Sequence, residues 1–190
     1  MEKIFEVKNK DWLKTVHRII TNQIQCTAWG IQDSKVVLVS TARVVDEQLC
    51  YDMGYQVYEA FNNGGVIVTN PGDFEILYTG PFNNNWLEQF CKHFTEWLCS
   101  RGLNAEWVKN DILVDGYKVC GTCTTRYGNI DYIGIHVGIN TNLDDIKKIC
   151  TKPMEKTPKG LGEYGVKSEE VRDMFIAFAE KYYEAEQSNK

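Results

Sequence analysis

Apolar positions recur at helical spacing over 84–101, where Trp86, Leu87, Phe90, Cys91, Phe94, Trp97 and Leu98 form one wide face. Asn84 or Asn85 is placed to cap that helix and Gly102 to end it. A helix over 11–23 carries Trp12, Val16, Ile19 and Ile20 on one side. A C-terminal helix over about 168–186 starts at a Ser168 cap, with Glu169 and Glu170 in its first turn, and buries Val171, Met174, Phe175, Phe178 and Tyr182. Shorter helices are predicted over 45–53, ended by Gly54, and over 143–150, capped by Asn142.

Between the helices the pattern changes to strands. Segments 25–31 and 35–40 read as a strand pair around an Asp33-Ser34 turn, and the unbroken run Val36-Val37-Leu38-Val39 suits a strand covered on both faces. Further strands are predicted over 55–60, from the Gly64-Gly65 pair through 66–69, over 74–78 beyond a Pro71-Gly72 turn, and over 131–140. Paired glycines let backbone N–H groups approach a carboxylate, phosphate or ring, and they also serve ordinary tight turns. The order of elements predicts an α+β fold with a mixed or antiparallel β-sheet flanked by helices.

The most informative stretch is Asn110 to Arg126, a β-hairpin. Ile112, Leu113 and Val114 form its first strand, Asp115-Gly116 is a strong turn dipeptide, and Tyr117 opens the second strand. Simple alternation puts Lys118 and Cys120 on one face, with Tyr117 and Val119 on the other. Gly121 within a strand marks a bulge or a close approach. Asn110 and Asp111 bring oxygen ligands suited to a metal or a phosphate-bound water. The same spacing also fits an exposed hairpin with a solvated lysine.

Composition narrows the class. The chain has 190 residues, enough for one domain over 1–190 with a proper core, and its 43% apolar and 25% charged residues suit a soluble globular protein. A net charge of −5 gives no sequence-wide basic footprint for nucleic acid. Seven scattered cysteines, with no signal-peptide pattern, suit a reducing cytoplasm. No apolar run approaches the roughly 20 residues that span a bilayer, so no membrane partner is expected. Cys120-Gly-Thr-Cys123 lacks a second pair and reads as strand filling. His17 and His93 sit on helices without carboxylates around them, and His136 reads as a packed or pocket-wall residue.

Taken in order, the Gly-Gly strand, the Asn-Asp-x-x-x-Asp-Gly-x-Lys-x-x-Gly hairpin and Ile133-Gly-Ile-His-Val-Gly-Ile-Asn-Thr-Asn142 resemble the catalytic domain shared by lipoate–protein ligases, biotin–protein ligases and octanoyltransferases. The resemblance covers roughly 35–171 and is nearest to a short lipoate–protein ligase A-like protein. It implies activation of a small carboxylic acid by ATP, lipoate first and octanoate or biotin as alternatives, with transfer to a lysine of a lipoyl- or biotinyl-carrier domain. It makes Lys118 the catalytic contact to the acyl carboxylate and the nucleotide phosphate. Gly64, Gly65, Thr69, Asn70, Gly72, Asn110, Asp111, Gly121, Thr122 and His136 become candidate substrate and nucleotide contacts, with Asn110 and Asp111 also placed to hold Mg²⁺. Cys150 lies near the position of the octanoyltransferase nucleophile, which would suit an ATP-independent transferase; a non-catalytic binding relative is the remaining alternative. The chain departs from the lipoate ligase motif where Ala60-Phe61 replace an arginine pair, Asn63 a glycine, and Thr69 a histidine.

Overall fold

The computed structural model describes residues 4–8, 11–40, 44–60, 65–81 and 85–188. A seven-stranded sheet forms its centre. In chain order the elements are β1 (Ile4–Glu6), α1 (Trp12–Thr21), β2 (Cys26–Ile31), β3 (Val36–Val39), α2 (Glu47–Asp52), β4 (Gln56–Glu59), β5 (Val66–Thr69), β6 (Phe74–Pro81), α3 (Trp86–Ser100), β7 (Ala105–Val108), β8 (Asp111–Val114), β9 (Tyr117–Tyr127), β10 (Ile130–Val137), α4 (Leu143–Ile149) and α5 (Ser168–Ser188). The large sheet runs β1-β2-β6-β10-β9-β8-β7, and a small one runs β4-β3-β5. β1 and β2 are parallel, as are β3 and β4, while the other pairings are antiparallel, so both sheets are mixed.

Strand alternation gives the large sheet two different faces. On one face, Phe74, Ile76 and Tyr78 of β6 and Ile133, Ile135 and Val137 of β10 form a core with the aromatic faces of α3 and α5. Trp86 stacks between Tyr78, at a centroid distance of 4.6 Å, and Phe90, at 5.6 Å, while Phe175 and Phe178 meet it edge-on. The helical spacing of aromatics in 84–101 is therefore a packing signal. Asn85 precedes α3 without a side-chain capping bond, and Asn84 lies outside the described residues. On the other face, Cys26, Ala28, Leu77 and Tyr132 pack against Trp12, Val16 and Ile19 of α1. The small sheet packs on α2 and α4 through Val37, Val39, Val68, Ile146 and Ile149.

One expected pairing is replaced. Segments 25–31 and 35–40 do not form a hairpin: β2 joins β1 and β6, while β3 joins β4 and β5. At the centre of the small sheet β3 is paired along both edges, with Val37 and Val39 packed toward α2 and α4 and Leu38 only half-buried on the other face. The intervening turn is pinned to the β5–β6 turn, with Gln32 N–H donating to the Asp73 carbonyl and Gly72 N–H to the Gln32 carbonyl. The Asp73 carboxylate, fully buried, accepts from the backbone N–H groups of Asn70, Ile139 and Asn140 and ties that turn to the end of β10. None of the helices among the described residues is long and apolar enough to cross a membrane.

Trp86 is fully buried in the ring cluster. Trp86→Ala is expected to cost about 3–5 kcal/mol, because a void lined by aromatic rings relaxes only in part. Urea unfolding followed by circular dichroism measures the loss, and an unchanged midpoint would contradict this packing.

Candidate active site

The hairpin predicted at Asn110–Arg126 forms, and its turn has the required geometry: Asp115 and Gly116 lie at φ 51° and 79°. A two-residue turn of this hand needs positive φ at both central positions. The facing of Lys118 differs from simple alternation. Cys120 pairs with Ile112 and Lys118 with Leu113, so Val119 is an extra residue, a β-bulge. Val119 and Cys120 both point into the α3/α5 core, and Lys118 is turned to the opposite face. There it shares the side of Gly121, where an added Cβ would lie 3.0 Å from Lys118 Cε and Nζ. The glycine leaves room for the lysine to lie across the strand.

Lys118 Nζ sits 2.7 Å from Asp111 Oδ1, and Lys156 Nζ sits 2.7 Å from Asp111 Oδ2. Burial alone would raise the Asp111 pKa; hydrogen bonds and charge from the two lysines hold it below its ordinary 3.8. Lys156 arrives on a strap that forms an isolated parallel bridge with β9. Lys118 N–H donates to the Thr157 carbonyl, and Lys159 N–H to the Lys118 carbonyl. Both the backbone and the ammonium of Lys118 are thus fixed before any ligand arrives.

A single register line crosses the large sheet through this point. Gly30 of β2 pairs with Glu75 of β6, Glu75 with His136 of β10, His136 with Gly121 of β9, and Gly121 with Asp111 of β8. Residues opposite each other share a face, so Glu75, His136, Lys118 over Gly121, and Asp111 lie in one row. Asp111, Lys118, Gly121 and His136 of this row floor a cleft of about 450 Å³ roofed by 65–68 and by 152–156 and Pro158 of the strap, and Glu75 stands behind His136, outside the lining.

The sequence-predicted residues divide accordingly. Lys118, Asp111, Gly121, Thr122, His136, Gly65 and Cys150 line the cleft. Thr122 donates to the Asn110 carbonyl through its N–H and its hydroxyl. Gly65 has φ 86°, which favours glycine at the cleft mouth. Gly64 lies outside the described residues. Asn110 is exposed and does not line the cleft. Thr69, Asn70 and Gly72 also lie away from it, in the framework. Thr69 donates to the Val36 carbonyl, Asn70 accepts from Tyr55, and the Gly72 carbonyl accepts from Ser168. Both Asp111 oxygens face ammonium groups. Burial pushes the Cys150 thiol up, away from the thiolate a nucleophile needs.

Two residues, one lining the cleft and one behind His136, gave no motif. Lys156 sits in a lysine-bearing loop, where its partner is set by folding. Glu75 carried a local signal, an acidic residue at an inward position of the apolar run Phe74–Tyr78. Its carboxylate lies 2.7 Å from His136 Nδ1, and the pair is largely buried. Burial raises the Glu75 pKa against the pull of His136. Burial would lower that of His136, but the charge and hydrogen bond of Glu75 raise it.

The model of the lipoyl protein ligase A/B catalytic domain matches residues 14–179. The chain belongs to this family. Solved structures agree in fold. P. falciparum LipL1, in complex with lipoate, superposes with a TM-score of 0.82 at 14% identity, over 98% of this chain and 63% of that one. A lipoate-protein ligase A bound with ATP gives 0.76 at 16% identity, over 94% and 84%. The bi-partite lipoate protein ligase of Thermoplasma acidophilum, described with its E2 lipoyl domain, gives 0.75 at 14% identity, over 93% and 81%. No curated protein sequence matches the chain. Within this mixed sheet with flanking helices, Lys118 lies on the β8–β9 hairpin.

Asp111 generates a prediction with a defined sign. Its pKa is lowered on folding, so its stabilisation is full above the unfolded value and disappears as pH falls through the folded one. Lys118 is 39% exposed, so solvent screens its pair and the contribution is discounted to about 1 kcal/mol. Asp111→Asn is expected to lower Tm by roughly 2–4 °C at pH 7. The difference from wild type should shrink as pH falls below 3.8, and scanning calorimetry across that range checks it.

Proposed function

We propose that this chain activates a small carboxylic acid of the lipoate, octanoate or biotin kind as an acyl-adenylate and passes the acyl group to a lysine of a carrier domain. The observation that carries the reading is the fixing of Lys118 at the floor of a ligand-sized cleft, over Gly121 and beside a second lysine. In the first step a carboxylate oxygen attacks the α-phosphorus of ATP and pyrophosphate leaves. In the second, the carrier amine attacks the acyl carbon, AMP leaves, and the amine proton passes to solvent. Negative charge grows on phosphoryl oxygens and then on the carbonyl oxygen. A pre-positioned ammonium stabilises both, because it needs little reorganisation as that charge appears.

Lys156 supports the use of ATP. The motif arginines are replaced by Ala60-Phe61, yet Lys152 and Lys156 of the strap line the same cleft and supply positive charge there. The polyphosphate competes with Asp111 for the two ammonium groups, so nucleotide binding and strap position are coupled. These steps run through the lysines; Mg²⁺ brought by the nucleotide would screen its phosphates without needing a dedicated protein site. Lipoyl- or biotinyl-carrier domains supply the acceptor amine. All seven cysteines are free thiols, which fits action in a reducing compartment such as the cytoplasm.

Mass spectrometry of the protein after incubation with ATP and a panel of acids tests the reading through bound acyl-adenylate. Lys118→Ala is expected to lower the rate of adenylate formation by roughly 10²–10³, the usual loss when one pre-positioned donor to developing charge is removed. Lys118→Arg should not restore it, since a planar fork does not replace a compact ammonium lying over Gly121. Equal turnover by wild type and Lys118→Ala would overturn the assignment.

A further inference from the structure

One strand inward from Lys118, the cleft floor is polar. His136 follows Gly121 across the register, and Glu75 follows His136. Strands lie about 4.8 Å apart. A carboxylate held at Lys118, with its tail directed inward between the two sheets, passes over His136. The surrounding walls are apolar: Val66, Ile67 and Val68 from the roof, with Cys123 beside them. Beyond Ile67 and Cys123 a narrow gap reaches Glu75 and leads toward a second cavity of about 240 Å³, bounded by Trp12, Leu38, Thr69 and Glu75.

The Glu75–His136 pair uses Nδ1 of the imidazole. Its Nε2 makes no hydrogen bond among the described residues; the nearest carboxylate oxygen, on Asp73, is 3.9 Å away. With Nδ1 engaged by Glu75, Nε2 is the imidazole atom left to meet a ligand in the cleft. A hydrocarbon or dithiolane tail laid over it would strip its water and return nothing. A tail with an amide or urea group at that point would pair with it, because such a group both donates and accepts.

We propose that the acid bound in this cleft carries a polar group on its tail, a carboxamide or ureido group about 5–10 Å from the carboxylate, and that His136, held by Glu75, recognises it. This rests on the ligase reading and narrows its substrate class. Apolar-tailed acids of the same length are poor ligands, because Nε2 of His136 loses its water and stays unpaired. Polar-tailed acids gain the bond, and the register line sets its distance from the carboxylate. Glu75 acts as a positioning residue that fixes the imidazole.

Calorimetric titration of the full chain with octanoate, lipoate, biotin, 6-amino-6-oxohexanoate and 8-amino-8-oxooctanoate tests the proposal. The expected result is binding of an ω-amide or of biotin roughly ten-fold or more tighter than octanoate, the effect of pairing one polar atom of the cleft floor. In the double variant Glu75→Leu/His136→Leu that preference should vanish or reverse, and His136→Leu alone gives a second variant should the double fail to fold. Octanoate or lipoate binding to wild type as tightly as every polar-tailed acid would overturn the proposal while leaving the ligase reading intact. Preferential binding of a polar-tailed acid with no adenylate formed from any acid and ATP would sink the ligase reading and support the proposal. Binding of none of them would overturn both.

Discussion

The extra residue in β9 is the constraint on which the site depends. Without Val119 as a bulge, Lys118 would share the face of Cys120 and point into the aromatic core of α3 and α5. An ammonium there has no partner, and taking it out of water costs several kcal/mol. With the bulge, Val119 and Cys120 both fill the core and Lys118 is turned out toward Asp111. One inserted residue satisfies the packing of one face and the electrostatics of the other. The aromatic core holds the bulge in place, because returning to regular alternation would remove Val119 or Cys120 from it.

The two faces of the large sheet then divide the work. The α3/α5 face is apolar and tightly packed, and it gives the strands a rigid backing. The opposite face is only partly covered, by α1 at one end and by the small sheet and strap at the other, and the cleft is the space under the small sheet and strap. Polar groups on this face meet each other along a single register line, so their spacing is set by the sheet and not by flexible loops. That places a histidine–carboxylate pair and a lysine–carboxylate pair side by side on a rigid sheet. The strap is different in kind: it is held by two backbone bonds and by the Lys156–Asp111 pair, and a polyphosphate would compete with the latter.

Much of this was legible in the chain. The aromatic face of α3, the Asp115-Gly116 turn, the glycine opposite the lysine and the α+β order all follow from local rules of spacing and turn chemistry, which act over a few residues. The resemblance carried by the hairpin pointed to Lys118, and the register brought Asp111, Gly121 and His136 to it. Thr69, Asn70 and Gly72 were read from their nearness in sequence to the glycine motif, but the turn they form is tied to Val36, Tyr55 and Ser168, and their polar groups are used there.

What only the tertiary structure decided is partner choice. Period-two alternation fixes which side chains share a face until a residue is inserted, and no local pattern marks Val119 as that residue. Whether β2 or β3 pairs with β6 depends on which surface each can cover. Lys156 is 45 residues from the aspartate it meets, and Glu75 is 61 from His136. Such contacts arise from strand order and register, properties of the whole sheet. The sequence determined the elements, the class of fold and one lysine; the assembled sheet determined what stands beside that lysine, because charge and hydrogen bonding act through space while pattern is read along the chain.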